Sequence, residues 1–328
     1  MSLQKGKPHA AVLRFNGEDG IAELLKKAKQ HAAVPFKSAG FHQETCGFAP
    51  GKILLADEIT EENSVDGDIL LLNIRRTAKK IDSGLLKAQI QKMEADYMKQ
   101  FLMDFIPKNK HREIKQEAID LLAAEKILTV KGIELAIAPG DNAVIIESAT
   151  PGEIDLASAL IAKDLGISCS SSCSDPDVRR RFFTWLFLRS REHATLLDGT
   201  TFFVDGPMEL FATEKHDGSI EQMTKARVEG GMVTDSRELQ LMLESNKLLK
   251  KAYVTIHSAA GIWKFSFDCD HFTYSALELP SEKSHDLRNR ISAILELQNI
   301  MEKLYFLWKK EKSKEAGEEN LPGLEEEG

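Results

Sequence analysis

The chain has 328 residues, of which 42% are hydrophobic and 29% charged, with a formal net charge of -8. These proportions exclude a disordered or collagen-like chain and leave room for one large core or two modest ones. A protein that met a polyanion with its whole surface would be basic, so any nucleic-acid site here has to be local.

The N-terminus, MSLQKGKPHAAVLRF, carries no long apolar run, so no signal peptide is expected. Apolar stretches such as Ile69–Leu72 are far short of a membrane span. The four cysteines, Cys46, Cys169, Cys173 and Cys269, lack disulfide-framework spacing and fit a reducing, cytoplasmic compartment.

In chain order, Ala11–Phe15 reads as a strand and Ile21–Ala33 as a helix, with Ile21, Leu24, Leu25 and Ala28 at helical spacing. Gly40–Gly51 reads as a turn-rich connection, and Ile53–Ala56 and Asp68–Ile74 as strands. Ser83 is placed to cap a helix along which Leu86, Ile90, Met93, Tyr97 and Phe101 form one apolar stripe, with Lys87, Lys92 and Lys99 opposite.

A second helix is expected over Arg112–Ala124. The runs Ile127–Val130, Ile133–Ala138 and Ala143–Ile146 read as strands turned at Lys131-Gly132 and at Gly140-Asp141-Asn142. Glu153–Leu165 is expected to be helical, and the Ser- and Cys-rich Gly166–Pro176 to be a loop between two halves.

The apolar runs Phe182–Arg189, Thr201–Val204 and Met208–Thr213 follow, then a helix over Ser236–Ser245. Leu248–Ile256, Gly261–Cys269 and Ala276–Leu279 read as strands, and Ser284–Lys312 as a long helix. The fold class expected is therefore α+β, with mostly antiparallel sheets and long amphipathic helices. The domains expected are an N-terminal α+β region over 1–166, a C-terminal one over 167–312, and an acidic disordered tail over 313–328.

Candidate chemistry is sparse. Cys169 and Cys173, with Asp175, Asp177 and His193 nearby, lack the four-ligand spacing of a structural zinc site. No nucleophile elbow, phosphate loop or dinucleotide fingerprint is present, and no catalytic residue, metal ligand or cofactor is assigned. Asp66 and Asp68 flank Gly67 and read as a tight turn before a strand rather than as metal ligands. Arg179–Arg181 precede Phe182, Phe183 and Trp185, a pattern that suits a core with a basic rim better than a stacking platform.

The departure from bulk composition lies between Arg75 and Lys115. Eleven Lys or Arg face five Asp or Glu there, inside an otherwise acidic chain. Arg75, Arg76, Lys79 and Lys80 form a basic turn directly before the helix that bears Lys87, and Arg112 and Lys115 follow. Charges arranged this way neutralise phosphates without reading sequence.

Several segments resemble the recombination-associated protein RdgC family. Gly67–Ile90 is similar to that family's strand, basic turn and long helix, with Arg75, Arg76, Lys79 and Lys87 at its basic positions. Cys46-Gly47-Phe48-Ala49-Pro50 resembles its G-W-V-P turn, and Gly132–Leu165 its hairpin and following helix. Thr184-Trp185 resembles its T-E-W element, and Asp235–Val254 its late helix and return strand. The series is collinear over roughly Val12–Trp308. Two elements depart from it. Ala123-Ala124-Glu125-Lys126 stands where the family has Pro-Arg-Ala-Phe, and Gly230-Gly231-Met232 where it has a basic Lys-Lys-Gln element, with Lys225 and Arg227 nearby.

The resemblance implies a non-enzymatic, ring-shaped homodimer in the cytoplasm, associated with the nucleoid. It would encircle double-stranded DNA nonspecifically and limit access of a RecA-type recombinase, with no cofactor and no membrane. The DNA-binding residues it and the charge pattern imply are Arg75, Arg76, Lys79, Lys80, Lys87, Arg112, Lys115, Lys225 and Arg227. Two alternatives stay open: a dimeric protein-interaction factor without DNA binding, and a Mg2+-dependent nuclease.

Overall fold

The computed structural model describes residues 3–34, 44–79, 83–103, 105–125, 128–171, 173, 175–192, 196, 199–216, 220–229 and 237–315. The chain is α+β, and its strand pairs are antiparallel among the described residues. It forms two compact units, one of residues 1–24, 65–71 and 134–328 and the other of residues 25–64 and 72–133. These are not the halves expected on either side of residue 166. Gly166, at φ +74°, caps a helix C-terminus, and the strand just after it, Cys169–Ser170, pairs back onto Ala10–Phe15. The segment read as a domain linker is thus part of the first unit.

The elements of that first unit are β1 (Ala10–Phe15), β3 (Val65–Asp66), the start of β4 (Ile69–Lys79), the end of β5 (Leu128–Ala138) and β6 (Ala143–Ile146). They continue with α5 (Pro151–Leu160), extended by a π turn at Ile161–Leu165, then β7 (Cys169–Ser170), α6 (Pro176–Glu192), β8 (Thr201–His216), β9 (Ile220–Val228), α7 (Arg237–Glu244), β10 (Leu248–Ser258), β11 (Gly261–Asp268), β12 (Thr273–Glu278) and α8 (Leu287–Glu315). Its strand order is β5-β6-β1-β12-β11-β10-β8-β9.

Alternation along β11 explains the core. Trp263, Phe265 and Phe267 point inward and are buried, while Lys264 is exposed. They form one hydrophobic cluster with Phe182, Phe183 and Phe187 of α6 and Ile294, Met301 and Tyr305 of α8. Two of the polar groups carried inside find partners, whereas Trp308 Nε1 has none among the described residues. Trp263 Nε1 donates to the Ala293 carbonyl at 3.0 Å, and the Tyr274 hydroxyl to Gln298 at 2.8 Å. Arg179 and Arg180 are buried as well. Arg180 pairs with Asp270 at 2.6 Å, and Arg179 donates to the Asp270 carbonyl at 2.6 Å, so the basic-aromatic run is core with its rim tied down.

The second unit holds the end of α1 (Ile21–Gln30), β2 (Glu44–Pro50), the short helix α2 (Glu61–Ser64), the rest of β4, α3 (Ser83–Phe101), α4 (Lys108–Glu125) and the start of β5. Three local expectations change here. The turn-rich segment is the strand β2, paired with β4 from Glu44↔Ala78 to Pro50↔Leu72. Gly47 is required because a Cβ there would lie 2.7 Å from Ala33 Cα, and Pro50 is tolerated at the strand's end. Ile53–Ala56 is a loop, not a strand. Lys131-Gly132 is not a turn. β5 runs straight through it, and Gly132 is small because a Cβ would meet Leu54 at 2.8 Å.

The Asp66-Gly67-Asp68 turn is present, with Gly67 at φ +64°. In the first unit, Thr201–Val204 and Met208–Thr213 belong to one bulged strand, β8, and its partner β9 falls on none of the strands expected from the sequence. The acidic tail beyond residue 315 lies outside the described residues.

The N-terminal segment of the first unit is strapped down by polar groups. The Leu3 N–H donates to Glu134 at 2.9 Å, and Arg290 donates to the Leu3 and Gly6 carbonyls at 2.7 Å each. The His9 N–H donates to Glu147 at 3.4 Å. Burial pushes the Glu147 carboxyl up to about 7, the His9 N–H opposes this, and the Glu134 and Glu153 carboxylates add to it. Folded Glu147 therefore holds its proton where the unfolded chain, at the usual 4.5, has lost it. Its contribution to stability is complete below that usual value and is lost as pH rises through about 7. Glu147→Gln keeps an acceptor for His9 without the charge. The variant's melting temperature relative to the native chain is expected to rise between about pH 5 and about pH 8, and equal pH profiles would refute the assignment.

Candidate nucleic-acid interface

The cations expected to bind DNA are sorted by the alternation of β4. Arg75 and Arg76 are adjacent, so they leave opposite faces of the strand. Arg76 is exposed. Arg75 is 1% exposed, and its guanidinium is directed to the protein's own backbone. Nη1 donates to the Leu54 and Ala56 carbonyls at 3.2 and 3.1 Å, Nη2 to the Val34 carbonyl at 2.8 Å, and Asp57 lies 3.8 Å away. Burial lowers the Arg75 pKa, and Asp57 acts against that shift. Arg75 is thus a structural arginine rather than a phosphate contact, which corrects the sequence expectation.

Lys79 ends β4 with its side chain outside the described residues, where Lys80 also lies. Lys87 is exposed on α3, and Arg112 and Lys115 are exposed on α4. Lys225 and Arg227 are exposed on β9 in the other unit, and Arg227 is ion-paired with Glu229 at 2.5 Å. Gly230-Gly231-Met232 falls outside the described residues.

α3 and α4 pack as a helical hairpin. On α4, Ile114, Ala118 and Leu122 are buried at steps of four, while Lys108, Arg112 and Lys115 stand exposed at steps of four and three on one stripe. Lys92 and Lys99 share a stripe on α3 that Asp96 interrupts. Leu86, Ile90, Met93 and Tyr97 are half-buried, as one covered face requires, whereas Phe101 is exposed. Lys110 lies 5.5 Å over the Tyr97 ring and bonds Glu113 at 2.9 Å, and His111 meets Glu94. From Lys99 to Lys115 the sequence has five cations against Asp104 and Glu113, so positive charge collects at the tip of the hairpin.

Sequence reasoning missed two parts of this arrangement. Lys108 completes the α4 stripe, and its spacing to Arg112 and Lys115 is a signal the sequence does carry. The tip of the hairpin has no such signal. The Met103 N–H bonds the Met98 carbonyl at 3.0 Å, closing α3 with a Schellman-type turn in which Leu102 takes φ +52°. Glycine is the usual residue there, and a leucine costs on the order of 1 kcal/mol. Leu102 is 94% exposed, beside Phe101 at 53%, Met103 at 39% and Phe105 at 69%.

Among the described residues no group of three or more His, Cys, Asp or Glu is placed to hold a metal ion. Asp68 is instead paired with Arg288 at 2.9 Å. No described helix is long and apolar enough to cross a membrane. No protein-family model matches the chain, and no curated protein matches it.

The two neighbouring arginines separate stability from binding. Arg75→Met is expected to destabilise the fold by about 2–4 kcal/mol, because it strands several buried carbonyls. Arg76→Ala is expected to change stability by no more than about 0.5 kcal/mol. Denaturant melts of the two variants check this, and similar losses from both would refute the assignment.

Proposed function

We propose that the chain is a sequence-independent double-stranded DNA-binding protein of the RdgC type, acting non-enzymatically as a nucleoid-associated homodimer that limits a RecA-type recombinase's access to DNA. The observation that carries this reading is the exposed cation stripe Lys108–Arg112–Lys115, with Lys87 and Lys99 on the partner helix, in a chain of net charge -8. None of these five side chains forms an ion pair among the described residues. Such point charges displace condensed counterions from phosphates, which supplies affinity without base readout. Arg76 extends the set from β4, and Lys79 and Lys80 follow it in sequence. Lys225 and Arg227 form a separate cationic pair on β9.

A local excess of cations on one hairpin would let a protein of net charge -8 hold DNA at that place. The family resemblance supplies the recombination context and the ring dimer.

The test is fluorescence anisotropy on labelled duplexes of unrelated sequence across a salt series. Affinity is expected to be the same for each sequence and to fall steeply with salt. Charge reversal at Arg112 and Lys115 should lower the slope of log K against log salt by about 0.9 for each phosphate that is no longer neutralised. A dimer by sedimentation that shows no salt-dependent duplex binding would overturn this reading in favour of a protein-interaction factor.

A further inference from the structure

The hairpin tip has features that phosphate contacts do not explain. Four apolar side chains, Phe101, Leu102, Met103 and Phe105, stand exposed at the end of α3 and in the loop after it. Leu102 occupies a left-handed position where glycine would be unstrained, and its side chain is almost wholly in solvent. Strain maintained for an exposed side chain, at a site where a residue without one would fit better, points to work done by that side chain. Between Lys99 and Lys115 the sequence carries five cations, Lys99, Lys108, Lys110, Arg112 and Lys115, and two acidic residues, Asp104 and Glu113.

Charge selects the occupant. Two copies meeting tip to tip would bring these cations against the same cations. A polyanion that also offers flat apolar surface satisfies both features of the tip, and stacked base pairs between phosphate backbones are such a surface. Proteins that bend DNA insert Phe, Leu or Met between base steps from an element whose basic residues grip the flanking phosphates.

We propose that the tip is a DNA wedge: Leu102 and Phe105 enter a base step and unstack it while Lys99, Lys108 and Arg112 hold the phosphates on either side. This rests on the duplex-binding reading above and adds a preference for DNA that is already unstacked. Insertion costs the stacking energy of the step, so a site where stacking is broken beforehand is bound more tightly.

The test compares two labelled duplexes of one sequence, one perfectly paired and one carrying a single unpaired bulged base, with the full chain. The native chain is expected to favour the bulged duplex by about tenfold. Leu102→Ser/Phe105→Ser should bind both alike, with affinity for the perfect duplex within about twofold of native. Leu102→Gly relieves the backbone strain, so it should raise the melting temperature while reducing the preference, which separates the role of the side chain from any loss of folding.

Equal native affinity for both duplexes would overturn the wedge and leave the duplex-binding reading standing. Absence of native binding to the perfect duplex would overturn both. Loss of all binding in the double variant would make the tip a general contact rather than a wedge. Dissociation of a dimer by the same variant in sedimentation would assign the tip to a second copy of the chain and likewise overturn the proposal.

Discussion

The second unit is organised around one buried guanidinium. Arg75 takes the carbonyls of Leu54 and Ala56 from the loop after β2 and that of Val34 from the segment after α1, so one side chain satisfies backbone that has no strand or helix partner there. Burying a cation is costly unless its hydrogen bonds are made, and here Nη1 and Nη2 meet fixed carbonyls with one carboxylate, Asp57, nearby, while Nε has no partner among the described residues. The arrangement gives the loop a single conformation. It also fixes which face of β4 looks inward, and hence that Arg76 looks outward.

That constraint also marks where sequence reading reaches its limit. Adjacent arginines before a lysine pair look alike in a charge count, and nothing in their composition says that one is enclosed by a loop. The same loop hides a second misreading. Ile53 and Leu55 look like part of a strand, yet both are exposed because their segment turns its carbonyls toward Arg75. Local pattern cannot foresee a partner that lies about twenty residues away in the chain.

Elements whose signal is internal to them were legible. The alternation of β11, the hairpin turned at Pro139–Asp141 with Asn142 in the left-handed region, and the long stripes of α3 and α8 follow from period and turn chemistry. Glycines were ambiguous because a glycine answers two different needs. Gly67 serves a positive φ in a turn, as expected. Gly132 serves close approach to Leu54 inside a continuous strand, and only the packed structure distinguishes the two. For the candidate site, the helix faces were readable from spacing. The separation of β9 and its cations into the other unit was not, since that depends on strand order.

Charge along the hairpin is graded rather than uniform. Lys108, Arg112 and Lys115 lie in the first half of α4, and Glu117, Asp120 and Glu125 in the second, so the cationic end coincides with the loop that exposes Phe101, Leu102, Met103 and Phe105. The acidic half of α4 weakens any grip on phosphate away from the loop, which concentrates electrostatic attraction where the apolar side chains are. A hairpin built only to add positive charge would have no need for a strained leucine at its apex, and one built only for apolar docking would have no need for the cations. The presence of both at one end of the same two helices is what the wedge proposal rests on, and it shifts attention from the basic turn in the sequence to the tip.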